Sequence, residues 1–232
     1  MKIGDMKVGD RLVFGMYSTG RGEADTPIIW LKASKDNQFI SEYVLDSVQF
    51  DEREPGMWHG NPDYTLSNVY QFLNSAEDYM CYAPTHPKDI IGQSYARKNG
   101  FLRLFDPYEL ASLDGCVDLP SVADIRGSED REKLDLFKKK GARGKCENAS
   151  SYSDYFTCDS FDGAVLTIPS SGKRTALLFP NWPSGIRPKC KLKADIEVTR
   201  REDETFHVVP FDCETDQDEG YDDTAFRALL GI

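Results

Sequence analysis

Short apolar runs cut by turn residues constrain this chain more than any other feature. Asp10 to Tyr17 (DRLVFGMY), Pro27 to Ala33 (PIIWLKA) and Gln38 to Leu45 (QFISEYVL) each mix β-branched and aromatic residues over strand-like lengths. Lys35-Asp36-Asn37 between the last two is a hairpin turn. Gly20 to Asp25 reads as a loop, and so does the Pro/Gly-rich stretch from Asp51 to Tyr64. Phe101 to Phe105 (FLRLF) is a candidate buried strand. The second half returns to strands at Tyr152–Cys158, Ala164–Ile168, Thr175–Phe179, Cys190–Val198 and Thr205–Val209, with Pro180 to Gly185 as a rigid turn.

Helices are few. Ser67 is a good N-cap, and Val69, Phe72 and Leu73 share one face that Ala76 and Met80 would continue. Asp106-Pro107 opens a second helix, with Leu110 and Leu113 turned inward. Ser128 to Lys140 has acids first and lysines last, as the helix dipole favours, but a narrow apolar face, so it is expected in a surface insertion. The expected organisation is one domain over 1–211, with the insertion at about 128–140, and an acidic linker plus terminal helix over 212–232. From Asp212 to Asp223 there are seven acids and no base. The amphipathic helix that follows carries Phe226, Leu229 and Leu230, which can pack on their own domain, on a neighbouring subunit or in a partner's groove.

Composition narrows the function. The formal charge of −11 argues against a sequence-independent grip on nucleic acid, which needs basic residues to displace counterions. No run approaches ~18 apolar residues, so no membrane-spanning helix is expected. The start, Met1 to Lys7, has no apolar h-region, so no secretory signal is visible. Cys81, Cys116, Cys146, Cys158, Cys190 and Cys213 make no C-x-x-C pair, and without a signal they read as reduced thiols. His59, His86 and His207 are scattered, and no metal or cofactor is expected. Asn148-Ala149-Ser150 matches a glycosylation sequon that is incidental in this context.

Three segments fall in a recognisable order: Ile28-Ile29-Trp30-Leu31 with Phe39-Ile40-Ser41 and Leu45; Tyr64 to Asn74, a capped helix ending in Phe72-Leu73-Asn74; and Gly185-Ile186-Arg187-Pro188. Phe101 to Phe105 precedes Tyr108-Glu109-Leu110 between them. This order resembles an uncharacterised C-type-lectin-like domain family of Gram-positive gut bacteria and their phages. The same broad fold occurs in formylglycine-generating enzymes and in variable receptor-binding proteins of some phages. The resemblance covers about residues 8 to 199 and implies an α+β, C-type-lectin-like fold, strand-rich, with two main helices and long loops. It departs at Tyr152 to Ser160, where the family's Trp and Arg are missing, so a shared ligand contact there is not implied. Trp30, Ser67 and Phe72 are read as structural anchors and cap. Arg187, if buried, needs a carboxylate or backbone carbonyls, and contact with a ligand is its other reading.

No catalytic site emerges. Glu54-Pro55-Gly56 and Trp182-Pro183 lack the oxygen ligands of calcium-dependent sugar binding. The run Glu214 to Gly220 has its Gly one place late for an EF-hand loop, and Ala225 cannot supply the bidentate acid. An oxidase of the formylglycine-generating type would need two close cysteines for copper, and Cys158 with Cys190 is the pair to consider. Trp58, His59, Tyr64 and Trp182 lie in Pro-stiffened segments, where aromatics favour recognition, although the tryptophans can equally fold onto the core. Together with Phe226, Leu229 and Leu230 they are the candidate binding residues. The expectation is a non-enzymatic phage or prophage virion structural protein: a capsid decoration, fibre or host-recognition subunit. Its expected partners are other virion proteins or copies of itself, and a host surface glycan or protein. A bacterial ligand-binding or adhesion module and the oxidase are the alternatives.

Overall fold

A computed structural model of the chain describes residues 1–17, 26–51, 60–76, 78–83, 94–126, 144–146, 152–171 and 174–209. The expected insertion helix at 128–140 and the acidic tail with its terminal helix lie outside the described residues. The elements in chain order are β1 (Arg11–Tyr17), β2 (Thr26–Lys32), β3 (Gln38–Ser41), β4 (Tyr43–Val44), β5 (Asp46–Gln49), α1 (Asn68–Leu73), β6 (Asp78–Ala83) and β7 (Ser94–Asn99). Then come α2 (Pro107–Ser112), α3 (Val122–Arg126), β8 (Gly144–Cys146), β9 (Tyr152–Ser153), β10 (Tyr155–Phe161), β11 (Ala164–Ile168) and β12 (Ala176–Leu178). The last are β13 (Pro183–Ile186), β14 (Lys189–Lys191), β15 (Val198–Arg200) and β16 (Thr205–Val208). The fold is α+β and strand-rich.

Two sheets form the frame. The first has the order β14-β3-β2-β1-β16-β15 and the second β12-β11-β10-β13-β5. Strands β1 and β16 pair in parallel, so early and late segments share one sheet. The Val198 N–H donates to the Met1 carbonyl, and the Ile3 N–H to that of Ile196. Buried Lys32 reaches the same corner, its Nζ donating to the Ile3 carbonyl at 2.7 Å. Phe14, Trp30, Phe39, Phe50, Phe72, Phe101, Phe105 and Phe156 fill the core between the sheets and helices.

The β1–β2 register slips between Val13 and Met16. Gly15 sits at the slip with φ +80°, and a Cβ there would stand 2.7 Å from carbons of the Phe105 ring. Only glycine meets both demands without strain. The slip exposes two backbone groups that other elements satisfy. The Trp30 indole donates to the Phe14 carbonyl at 2.7 Å, and the Gly15 N–H donates to Glu109 of α2 at 2.7 Å.

Several expectations need correction. Phe101 to Phe105 is no strand; Phe101–Leu104 is a 3-10 turn. The turn puts Phe101 and Phe105 on one side, 5.5 Å apart, and leaves Arg103 in solvent; a strand would have turned Arg103 inward with them. Helix α1 stops at Leu73 instead of continuing through Ala76 and Met80. Asn74 ends it by exchanging hydrogen bonds with the Val117 backbone at 2.9 and 3.0 Å, and Met80 belongs to β6. Cys190 to Val198 is two strands, because the Ala194 and Ile196 carbonyls are taken by Gly4 and Ile3. Part of the expected rigid turn, Pro183 to Gly185, lies in β13. Helix α3 had no counterpart in the sequence reading.

Replacing Gly15 by Ala should cost about 2–5 kcal/mol, the sum of a left-handed backbone penalty and overpacking. The check is a urea midpoint with the slope held constant. An unchanged midpoint would contradict this account of the slip.

Candidate functional site

The second sheet has one face on the core and one face that is only partly covered. On the core side, Val165 is fully buried and Leu178, its partner on β12, packs against the main cluster. Alternation then turns Ala164, Leu166 and Ile168 of β11 the other way. Ile168 is covered by Tyr155, Ile125 of α3, Ile40 and Ala33, a small second cluster. That cover stops partway along the strands.

Beyond it the apolar face is open. Phe161 pairs with Ala164, and the β11–β12 register carried one residue further sets Phe179 opposite Ala164 as well. Leu177 lies opposite Leu166. Trp182 returns in a turn whose N–H donates to the Phe179 carbonyl, and the two rings meet edge to face at 6.1 Å. Exposure is 66% for Phe161, 53% for Leu177, 41% for Phe179 and 56% for Trp182. Solvent-facing aromatics on a strand frame are the groups most often found at the energetic centre of protein interfaces.

The other expected binding residues fall elsewhere. Trp58, His59, Phe226, Leu229 and Leu230 lie outside the described residues. Tyr64 is buried: its hydroxyl oxygen accepts from the Leu119 N–H at 2.9 Å and bonds the Asp118 carboxylate. Burial and that carboxylate push its pKa far above the ordinary tyrosine range. Tyr64 therefore holds a loop to the core and presents no recognition surface. Leu177 lies in an Ala-Leu-Leu-Phe run that reads as wholly buried, and Phe161 stands alone among the polar turn residues Asp159-Ser160 and Asp162-Gly163, so sequence singles out neither.

The structural candidates sit inside. Trp30 packs against Phe14 and Phe105, and Phe72 against Phe101. The Ser67 hydroxyl accepts from the Tyr70 N–H and donates to the Tyr64 carbonyl. Arg187 is buried; its Nε donates to the Ser41 carbonyl at 2.8 Å, and its guanidinium lies 5.5 Å over the Tyr155 ring.

A partly buried polar cluster joins β14, α3 and β10. Lys189 Nζ contacts Asp124 at 2.9 Å, and Asp124 also accepts from the Ser121 N–H. The Val122 N–H donates to Asp159 at 2.5 Å. Burial pushes the Asp124 carboxyl up, but Lys189 and the Ser121 donors outweigh it and hold it below the ordinary value. Burial raises Asp118, with Lys189 opposing. Cys158 is pushed up to about 11 by burial and then by Asp159, and burial alone pushes the Cys190 thiol up. Both stay protonated at neutral pH, a form that neither attacks nor ligates copper well. No three metal-ligating side chains converge among the described residues. No helix among them is long and apolar enough to cross a membrane.

No family model, curated protein or solved structure matches this chain.

The cluster makes two predictions. Asp124 has a depressed folded pKa against an unfolded value of about 3.9, so its contribution is complete above that value and lost as pH falls through the folded one. Asp124→Asn should cost about 1–3 kcal/mol at pH 7, the worth of a charged hydrogen bond. The gap to wild type should close toward pH 2 in parallel denaturant titrations; a pH-independent gap would refute the ionic role. Among Cys116, Cys158 and Cys190, native alkylation followed by peptide mapping should mark exposed Cys116 first, with Cys158 at least about tenfold slower. Buried Cys190 should react only on unfolding.

Proposed function

We propose that this chain is a non-enzymatic structural protein of a phage or prophage virion, a decoration, fibre or host-recognition subunit with a C-type-lectin-like fold. The observation that carries the reading is the open aromatic face formed by Phe161, Phe179 and Trp182. A subunit that docks on a particle or a host surface needs such a face. Pro180 and Pro183 bracket Trp182, so its ordering on contact costs little entropy. The strand frame with small helices and long connections is compatible with the layout that the resemblance implies. The charge of −11 suits a contact made by apolar surface, not one made by phosphate.

Three charged groups inside the domain fit the same reading, because each is occupied. Glu109 accepts from the Gly15 and Asp106 N–H groups, Lys32 donates to a carbonyl, and Asp124 is paired with Lys189.

The test is sedimentation of particles from a lysate of producing cells. The chain should band with intact particles, and recovery only in the supernatant would overturn the proposal. A Phe179→Ala, Trp182→Ala double variant should fold with an unchanged melting temperature and lose incorporation. Each truncation is expected to weaken docking by about thirtyfold or more, the scale of an interface hot spot.

A further inference from the structure

The two large sheets have four edge strands, and three of them are guarded. Strand β14 carries Lys189 and Lys191, and bridges from Leu113 to Leu192 and from Asp118 to Lys189 run beside it. Strand β15 carries Arg200, and its approach is bridged by Lys2 to Glu197. Strand β5 carries Asp46 and packs against α1 and β6. Strand β12 is different. Ala176-Leu177-Leu178 has no charge and no proline, its register with β11 has no bulge, and nothing pairs with its outer side among the described residues. An edge without these devices is a template for another strand.

We infer that β12 pairs antiparallel with β12 of a second copy of this chain, joining two five-stranded sheets into one across a two-fold axis near Leu177. The occupant follows from the charge at the two ends of the strand. Exposed Arg174 stands just before β12. Exposed Asp162 stands on the turn from β10 to β11, at the end where Phe179 lies. A two-fold axis at Leu177 places Arg174 of one copy past Phe179 of the other, at the end of β12 where that copy's chain turns away toward Phe50. Arg174 then approaches Asp162 of the second copy, and symmetry repeats the pair. The backbones are about 12 Å apart there, two and a half strand spacings. Two extended side chains reduce that gap to well within the Debye length.

The same operation lays Leu177 against its own copy, removing a half-exposed leucine from water. Phe161, Phe179 and Trp182 flank the seam on both sides, so one pair of chains would present two aromatic faces. A parallel arrangement would bring Arg174 beside Arg174 and bury neither charge. Three residues make a small edge, so association in the micromolar range is expected.

The measurement is mass in solution by sedimentation equilibrium on the whole chain, from about 1 to 100 μM, the range where such a contact titrates. Wild type should move from one chain to two. Leu177→Lys should hold it at one, with an unchanged melting temperature because the site faces solvent. Arg174→Gln and Asp162→Asn should each weaken pairing about three- to tenfold, and the double variant no further than either single, the signature of a coupled pair. Asparagine suits position 162, where φ is +50°. A single chain at every concentration overturns the inference. A dimer indifferent to Leu177→Lys and to both charge changes also overturns it. Neither outcome touches particle binding, which sedimentation of particles reads on its own.

Discussion

The register slip in β1 is the constraint on which the rest of the domain depends. A bulge in a central strand leaves backbone groups without ladder partners, and burial makes them costly. Here each is taken by a side chain from a different element. The Phe14 carbonyl takes the Trp30 indole proton, and the Gly15 N–H goes to Glu109. Glu109 has a second carboxylate oxygen, and it closes the capping box of α2 on the Asp106 N–H. The missing Cβ of Gly15 is the space that the Phe105 ring fills. One slip thus fixes β2, α2 and the preceding 3-10 turn against the first sheet.

Arg187 does the corresponding work between the sheets. It follows β13 of the second sheet directly and precedes β14 of the first. Its guanidinium donates to the Ser41 carbonyl at the end of β3 and lies over Tyr155 at the start of β10. A buried guanidinium needs carbonyls or carboxylates around it, and a planar one also stacks on an aromatic face. Lysine could supply the charge but neither the fork nor the stacking. Gly185 just before it admits the Val44 side chain, which a Cβ there would meet at 2.5 Å. The Gly-Ile-Arg-Pro segment is therefore a hinge of close packing between two strands that leave in different sheets.

Features that depend on neighbours in sequence were legible in it. The first two strands, the Ser67 cap and the Asp106-Pro107 start are local, and the structure has them within a residue or two, while the expected strand Gln38 to Leu45 is broken at Glu42 into β3 and β4. Features that depend on distant partners were not. Phe101 to Phe105 is an apolar run of strand length, but a 3-10 turn sets both rings against Phe72 and Phe14 and leaves Arg103 outside. Helix α3 is five residues long, and its support comes from Asp159 on a remote strand. The end of α1 is set by Val117, more than forty residues away. The open aromatic face was half legible: Trp182 drew notice through its prolines. Leu177 sits in a strand whose apolar run gives no hint of where a covering layer stops, and Phe161 lies in a polar turn between two expected strands.

Where that layer stops decides what the domain has left to offer. Ile125 of α3 shields Tyr155 and Ile168, while five residues of helix cannot reach Leu177 or Phe161. Inside the domain, polar groups are spent on carbonyls and N–H groups that loops and slips leave open. Asp51 alone accepts from both Asn61 and Asn68. Both of its carboxylate oxygens are thereby taken by backbone donors of the same domain. The aromatic face is in the opposite condition: Phe179 and Trp182 touch each other, but about half of the apolar surface there meets water and gains on burial. On the proposed reading, the driving force for docking therefore sits on a sheet surface, at the end of the strands that Ile125 of α3 leaves uncovered.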